Sequence, residues 1–255
     1  MGHVLQLERI DLYLQFDLPL ADPDLRSLRS MLRRRAGGTP VAYLVGERHF
    51  FGLRLAIREG VLIPRPESEL LVELALARLA AQDRHSLTAD LGTGSGCLGI
   101  AIAVGAPGAR VDAVDLSEIA VEVARSNVSR LGVGDRVTLF QGSWGEPLAG
   151  RGPYDLIVSN PPYVTSSELA ALDPGVRDFE PKLALDAGGD GLAPYRELMA
   201  ELPRLAAPRA TILLEVDPNR AGGVAGLAAQ AWPGVSPRVH RDLSGRDRVV
   251  DVRLA

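Results

Sequence analysis

The sequence has very little of several residue types, and each scarcity narrows what the chain can be. Cys97 is the only cysteine in 255 residues, so an intrachain disulfide and a metal site of clustered cysteines are excluded. The four histidines show no metal-ligand spacing. We therefore expect no metal ion, and a reducing, cytoplasmic location.

The chain also lacks long apolar runs and an excess of positive charge. No uninterrupted apolar stretch reaches the length of about 18 residues that a membrane-spanning helix needs, and the first nine residues do not resemble a signal peptide. Lys182 is the only lysine, and the formal net charge is −4. This balance argues against stable binding of nucleic acid. We expect a monomer with neither a membrane nor a stable nucleic-acid partner.

What the sequence does contain is three regions with different patterns. Residues 1–45 have apolar side chains at helical spacing and predict a small helical domain. Within residues 46–66, apolar and polar side chains alternate, which predicts a linking β-hairpin. Residues 67–255 alternate between strand and helix, which is the pattern of a doubly wound α/β sheet.

The third region predicts individual elements. The predicted strands are residues 87–91, 110–115, 136–140, 154–159, 211–216, 235–240 and 248–253, the last two antiparallel. The predicted helices are residues 70–81, a helix ending at Val104, residues 117–131 with Ser117 as N-cap, and residues 192–206. In such a sheet, ligands bind at the carboxyl ends of the strands.

The tetrapeptide Asn160-Pro161-Pro162-Tyr163 follows one of these strands and is the most informative motif. The Asn160 side-chain oxygen and the Pro161 carbonyl can each accept one N–H of a planar nitrogen. Pro162 sets the direction of that carbonyl, and the Tyr163 ring offers a flat face for stacking. The motif indicates methylation of an amide or ring amino nitrogen, with Asn160, Pro161 and Tyr163 acting in catalysis and all four residues binding the substrate. The alternative is a rigid turn in which Tyr163 only packs.

A glycine-rich segment follows the first strand of this region, at residues 90–96. Its glycines allow the backbone to turn tightly and approach a ligand, and Asp115 at the end of the next strand can accept two ribose hydroxyls. Gly94, Gly96 and Gly99 also match the dinucleotide fingerprint, so NAD and S-adenosylmethionine both fit this loop. The dense glycine run at the strand end and the tetrapeptide favour the methyl donor.

Trp144 follows the third strand, beside the place where this fold holds an adenine ring. We expect Trp144 to flank that ring and Ser143 to hydrogen-bond it; the alternative is a partly buried core tryptophan. The predicted cofactor-binding residues are therefore Gly92, Thr93, Gly94, Ser95, Gly96, Asp115, Trp144 and Asn160.

Taken together, these motifs resemble the protein N(5)-glutamine methyltransferases of the HemK/PrmC type. The matching segments are residues 63–67, 90–96, Asp115, Trp144, residues 160–163, 179–196 and 243–248. The resemblance implies a class I S-adenosylmethionine-dependent methyltransferase with a Rossmann-like seven-stranded sheet, a helical substrate-docking domain and a linking hairpin. It also implies a substrate: the glutamine of the Gly-Gly-Gln motif in a class 1 peptide chain release factor.

The sequence departs from the family pattern in two places. The N-terminal helical region is shorter than is usual for the family, and Glu215-Val216-Asp217 replaces an acidic-aliphatic-glycine strand end. Four alternatives stay open. They are a ribosomal-protein glutamine methyltransferase, an adenine-N6 methyltransferase acting on DNA or RNA, a non-catalytic binding protein, and a nicotinamide oxidoreductase.

Overall fold

The N-terminal region consists of four helices: α1 (Gly2–Leu5), α2 (Arg9–Leu14), α3 (Asp22–Ala36) and α4 (Val41–Val45). This computed structural model describes residues 1–81 and 85–255. Three arginines occupy the last turn of α3 before Gly37, where positive charge favours the helix dipole. No residue of α1, α2 or α3, all in the described part of the chain, is buried. The helical prediction is confirmed, but these helices add little to the core.

The predicted hairpin is also present, as β1 (Glu47–Phe50) paired antiparallel with β2 (Leu53–Ala56). Its turn places Phe51 and Gly52 at positive φ, the backbone twist that suits a two-residue hairpin loop. Phe50 and Leu55 are almost fully buried and join the core beneath the large sheet. A 3-10 turn (Pro66–Ser68) then leads into α5 (Glu69–Ala80).

The rest of the chain forms a seven-stranded sheet with helices on both faces. Its strands are β3 (Ser86–Leu91), β4 (Ala109–Asp115), β5 (Val137–Gln141), β6 (Tyr154–Ser159), β7 (Ala206–Glu215), β8 (Arg238–Arg241) and β9 (Asp247–Arg253). Its helices are α6 (Cys97–Gly105), α7 (Glu118–Arg130), α8 (Pro174–Arg177), α9 (Ala193–Leu205) and α10 (Ala221–Ala231). The strand order is β5-β4-β3-β6-β7-β9-β8, with β9 antiparallel to both neighbours. The doubly wound fold class is confirmed.

Two hydrophobic clusters fill the space between the sheet and its helices. Leu156 and Val158 of β6 point into the cluster shared with α5 and α6, whereas Ile157 points into the cluster shared with α9 and α10. Because strand side chains alternate between faces and both faces are covered, β6 is an almost continuous apolar run.

Four elements differ from the prediction. The short helix α8 was not predicted, and β8 begins at Arg238 rather than Val235. The helix α10 was not predicted; it is rich in alanine and glycine, and it buries only small residues and Val224, so its apolar periodicity is weak. The strand β7 begins at Ala206 rather than Thr211. Its first four residues are exposed or partly exposed, so they carry no buried apolar pattern that would have predicted them.

The sheet reverses its winding at β3, which has β4 on one side and β6 on the other. The ladder aligns one residue from each of four strands: Val114, Leu91, Ser159 and Leu214. The next residues along these strands therefore form a row across the carboxyl edge: Asp115, Gly92, Asn160 and Glu215. This edge is where open α/β sheets bind their ligands.

Candidate active site

A cavity of about 370 Å³ opens at the carboxyl edge of the sheet. Most of the predicted site residues line it: Gly92, Thr93, Gly94, Ser95, Asp115, Ser143, Trp144, Asn160 and Pro162. Gly96, Pro161 and Tyr163 are not in its wall as the described residues form it. The structure thus brings the glycine-rich segment and the start of the tetrapeptide to one space.

The glycine-rich segment follows a path that needs glycine. Gly92, Gly94 and Gly96 all have φ between 58° and 83°, the left-handed region that other residues rarely adopt. A Cβ at Gly96 would lie 2.8 Å from Ile100 Cδ1. Gly96 therefore shapes the loop through close packing, even though it does not line the cavity.

Asp90 fixes the loop from below. It is fully buried, and its Oδ2 accepts hydrogen bonds from Thr93 Oγ1 at 2.6 Å and Gly99 N at 2.9 Å. Burial raises the pKa of this carboxyl to about 6, while the two hydrogen bonds oppose the shift. Asp90 thus joins the loop to the first turn of α6.

Asp115 uses both carboxylate oxygens on the backbone. Oδ2 accepts from Gly94 N at 2.7 Å, and Oδ1 accepts from Ser117 N at 2.9 Å. Burial raises its pKa, and the backbone hydrogen bonds oppose that rise. The Leu116 amide also hydrogen-bonds the carboxylate, so three backbone amides hold Asp115 at the cavity wall.

Trp144 is held in place by helix α9. Its backbone is left-handed with a φ of 41°, and its Nε1 donates to Glu197 Oε2 at 2.8 Å. The next amide, Gly145 N, donates to Glu201 Oε2 at 2.8 Å. The ring packs beside Gly92, where an added Cβ would lie 3.4 Å from Cζ3. Sequence reasoning found Trp144 but missed both glutamates, whose spacing of four residues places them on one helix face.

Asn160, the first residue of the tetrapeptide, makes a side-chain hydrogen bond to a distant segment. Its Nδ2 donates to Ser68 Oγ at 3.2 Å, which leaves Oδ1 as its free acceptor. Just before it, Ser159 Oγ donates to the Leu91 carbonyl at 2.6 Å and joins β6 to β3. Sequence reasoning missed Ser68, which lies more than ninety positions earlier in the chain.

The rest of the tetrapeptide is placed less directly. Pro161 is buried, and Tyr163 is partly buried against the hydrophobic cluster of α9 and α10. Burial raises the pKa of Tyr163 to about 12. Stacking of Tyr163 on a substrate stays a prediction.

Glu215 is a fully buried carboxyl next to Asn160 in the row. Burial raises its pKa to about 7, and the Ser68 hydroxyl beside it opposes the shift. Within the described residues, neither carboxyl oxygen has a hydrogen-bond partner of good geometry. Sequence reasoning noted this strand end only as a departure from the family; an acidic residue at the end of an apolar run was the available signal.

Glu180 joins two segments at the rim. Its Oε2 accepts from Ile63 N at 3.0 Å and its Oε1 from Arg65 Nη2 at 2.6 Å. The Phe179 ring packs over Gly38, where an added Cβ would lie 3.1 Å away. Pro64 and Arg65 line the cavity, and Glu180 ties their segment to the loop after the tetrapeptide.

Asn127 makes a second long-range tie. Its Oδ1 accepts from Ala56 N at 2.6 Å, and its Nδ2 donates to the carbonyls of Ala56 and Ser95 at 3.1 and 2.9 Å. The hairpin and the glycine-rich segment are thereby joined through one buried side chain. The rarity of asparagine, with only three in the chain, was the one signal for it.

Across residues 1–81 and 85–255, no cluster of three or more histidine, cysteine, aspartate or glutamate side chains is arranged to hold a metal ion. Over the same ranges, no helix combines the length and apolar character that crossing a membrane requires.

Family models match both parts of the chain. Residues 1–46 match the PrmC N-terminal domain, and residues 67–173 match the methyltransferase small domain. The gap between the two matches contains the hairpin and the 63–66 segment.

Curated relatives match over nearly the whole chain. A release factor glutamine methyltransferase from Chlorobaculum tepidum is 39% identical, over 97% of this chain and 86% of its own length. One from Geobacter sulfurreducens is 40% identical, over 100% and 87%. A solved methyltransferase from Agrobacterium tumefaciens shares the fold, with a TM-score of 0.56 at 14% identity, over 82% of this chain and 69% of its own.

Proposed function

The chain belongs to the release factor glutamine methyltransferase family, and on that premise we propose that it methylates the glutamine of the Gly-Gly-Gln motif in a class 1 release factor. One observation of the structure carries the proposal. The glycine-rich segment follows β3, and Asn160 follows β6, the neighbouring strand. A methyl donor and an acceptor amide held by these two segments would therefore meet in one cavity.

The methyl donor is S-adenosylmethionine, which when bound supplies a methyl group made electrophilic by a sulfonium. The cavity of about 370 Å³ lies within the range of roughly 300–1,000 Å³ usual for ligands of this size. We propose that Asp115 accepts the ribose hydroxyls and that Trp144 flanks the adenine. Ser95, whose hydroxyl is buried without a partner among the described residues, fits a polar group of the donor.

On the acceptor side, Asn160 offers its oxygen. Because Nδ2 is engaged by Ser68, Oδ1 is the atom available to accept one N–H of the target amide. We propose that the Pro161 carbonyl accepts the other N–H. Pro162, in the cavity wall, would then bound the amide plane, and Tyr163 would support it.

The reaction proposed is a direct displacement. The glutamine nitrogen attacks the methyl carbon in line with the carbon–sulfur bond, which breaks as the carbon–nitrogen bond forms. The nitrogen then releases one proton to solvent. The alkylated nitrogen is acidic, so acceptors suffice and no strong base has to act first. Placement of the reactants can contribute roughly 7–11 kcal/mol.

Mass spectrometry of a purified release factor tests the proposal. After incubation with the protein and S-adenosylmethionine, the Gly-Gly-Gln peptide should gain one methyl group on glutamine. A release factor with that glutamine replaced by alanine is the control and should gain none. Methylation of a ribosomal protein or of adenine in an oligonucleotide, with the release factor unmodified, would overturn it.

We propose the same three-part organisation that the sequence predicted: residues 1–45 for docking, 46–66 as linker and 67–255 for methyl transfer. The family matches over 1–46 and 67–173 support these bounds. A release factor acts on translating ribosomes, which supports a cytoplasmic location. A monomeric state stays a prediction.

A further inference from the structure

We propose that Ser68 and Glu215 are positioning residues that fix the orientation of the Asn160 amide and strengthen its oxygen as an acceptor. The inference rests on the proposed function of Asn160 and adds two residues to it. Ser68, Asn160 and Glu215 come from three separate segments of the chain: the turn before α5, the end of β6 and the end of β7.

The sheet places these residues together. Asn160 and Glu215 are neighbours in the row at the carboxyl edge, because Ser159 pairs with Leu214. Val158 and Leu213 both point into the hydrophobic cluster on the α5 side, so the residues two positions further point the same way. The turn that begins α5 supplies Ser68 on this side, where it is 2% exposed.

A hydroxyl alone cannot choose between the two orientations of an amide. Ser68 Oγ can accept from Asn160 Nδ2, as observed at 3.2 Å, or donate to Asn160 Oδ1 after a flip. If the Ser68 proton is directed to Glu215, only the lone pairs of Oγ face Asn160. The amide must then donate through Nδ2, and Oδ1 is turned to the substrate.

Glu215 is suited to attract that proton. Its carboxyl is fully buried, and both oxygens are without a hydrogen bond of good geometry in the described structure. A buried polar group in this state is costly unless a donor reaches it. The Ser68 hydroxyl lies beside this carboxyl, and its effect favours the charged carboxylate.

The charge on Glu215 adds a second effect. In a chain of hydrogen bonds, each bond polarises the next, so a carboxylate behind Ser68 makes Asn160 Oδ1 more negative. The target nitrogen gains positive charge as it is alkylated, and a stronger acceptor at its N–H stabilises that state. Turnover should therefore rise as Glu215 ionises, with a midpoint near its pKa of about 7.

Other ionisable groups surround this carboxyl and set its titration. They come from every element packed on it: Arg65 and Glu67 before α5, Cys97 on α6, Tyr163 after β6, Tyr195 on α9 and Arg248 on β9. Burial raises the pKa values of Cys97, Tyr163 and Tyr195. These three groups are therefore neutral near pH 7. Asp90, in the glycine-rich segment, titrates lower, near 6, so we assign a change near pH 7 to Glu215.

The test compares Ser68→Ala, Ser68→Thr and Glu215→Gln with the wild type, using release-factor methylation from pH 5.5 to 9 and calorimetry of S-adenosylmethionine binding. Ser68→Ala should lower kcat about tenfold or more, with the affinity for the donor unchanged. Ser68→Thr, which keeps the hydroxyl, should recover most of the activity. Glu215→Gln should lower kcat about tenfold at pH 8 and remove the rise near pH 7.

Matched controls separate this role from general damage. Ser86→Ala removes a buried hydroxyl at the opposite edge of the sheet, and Asp112→Asn neutralises a buried carboxylate on β4 that bonds Arg151 and Tyr154. Both should keep the wild-type pH profile. Normal kcat in Ser68→Ala, or an unchanged pH profile in Glu215→Gln, would overturn the inference while wild-type methylation of the release factor still supported the function. An inactive wild type would instead remove the function on which it rests.

Discussion

The donor side and the acceptor side of the cavity are built in different ways. On the donor side, the wall is formed mainly by glycines and backbone amides, and Asp115 accepts hydrogen bonds from the N–H groups of Gly94 and Ser117. On the acceptor side, the polar contact of Asn160 is with a side chain from a distant segment, Ser68. The shape of the glycine-rich segment is set largely by its own sequence, with Asn127 as a distant support, whereas the orientation of Asn160 depends on how the whole sheet assembles.

The largest effect is expected when the acceptor group, the Asn160 side-chain amide, is removed. Asn160→Ala should lower kcat about a thousandfold, close to 4 kcal/mol, because the target amide loses its positioned acceptor. The affinity for S-adenosylmethionine should persist, since the glycine-rich segment is untouched. Single-turnover methylation and calorimetry measure the two effects separately. Asn219→Ala, at an exposed asparagine, is the control; wild-type turnover in Asn160→Ala would contradict the mechanism.

The next largest effect is expected on the donor side. Asn127→Ala removes the side chain that bonds Ala56 and Ser95 and leaves buried backbone groups unpaired. The free energy of unfolding should fall by about 3 kcal/mol, and donor affinity should fall with it because the loop loses its support. Urea denaturation and calorimetry measure both. Ser126→Ala, exposed on the same helix, should change neither; a loss confined to kcat would contradict the distinction between the two sides.

The smallest expected effect concerns the acceptor side and is a change in how stability depends on pH. The pKa of Glu215 is raised from 4.5 to about 7, so its neutral form stabilises the fold below pH 4.5 and that stabilisation is lost as pH rises through 7. One pKa unit corresponds to about 1.4 kcal/mol, so at pH 8 the free energy of unfolding of Glu215→Gln should exceed that of the wild type by up to about 3 kcal/mol. The two proteins should converge near pH 4.5.

Denaturation at pH 5 and pH 8 checks this difference. A stability gain that is equal at both pH values would show that packing, not ionisation, is responsible. A gain in stability at pH 8 together with slower methylation would mean that the fold keeps a costly charge where the reaction uses it.

The same comparison explains what the sequence could predict. Local sequence sufficed to predict most of the strands and the three regions of the chain. It also predicted which residues of the glycine-rich segment line the cavity, because each of these features depends on neighbours in the chain. Asp115 was found by its place at a strand end. Asn160 was found because its motif is contiguous, and the ladder between β3 and β6 confirms that it lies next to the loop.

The supports of these residues could not be read in the same way. The partners of Ser68, Glu180 and Glu215 lie more than fifty positions away in the chain or on another strand. The sequence around each residue therefore does not indicate its partner. Helix α10 was missed for a different reason. Small residues suffice to pack it, so its buried face leaves no strong apolar periodicity.

The tie made by Asn127 also sets a timescale for the site. The Ala56 amide can exchange its hydrogen with solvent only when the Asn127 side chain releases it, and the same side chain bonds the Ser95 carbonyl beside the cavity. Release of the Asn127 side chain would therefore loosen the hairpin and the glycine-rich segment together. The hydrogen-exchange rate of the Ala56 amide, which lies outside the cavity, would therefore report how often Asn127 releases the glycine-rich segment.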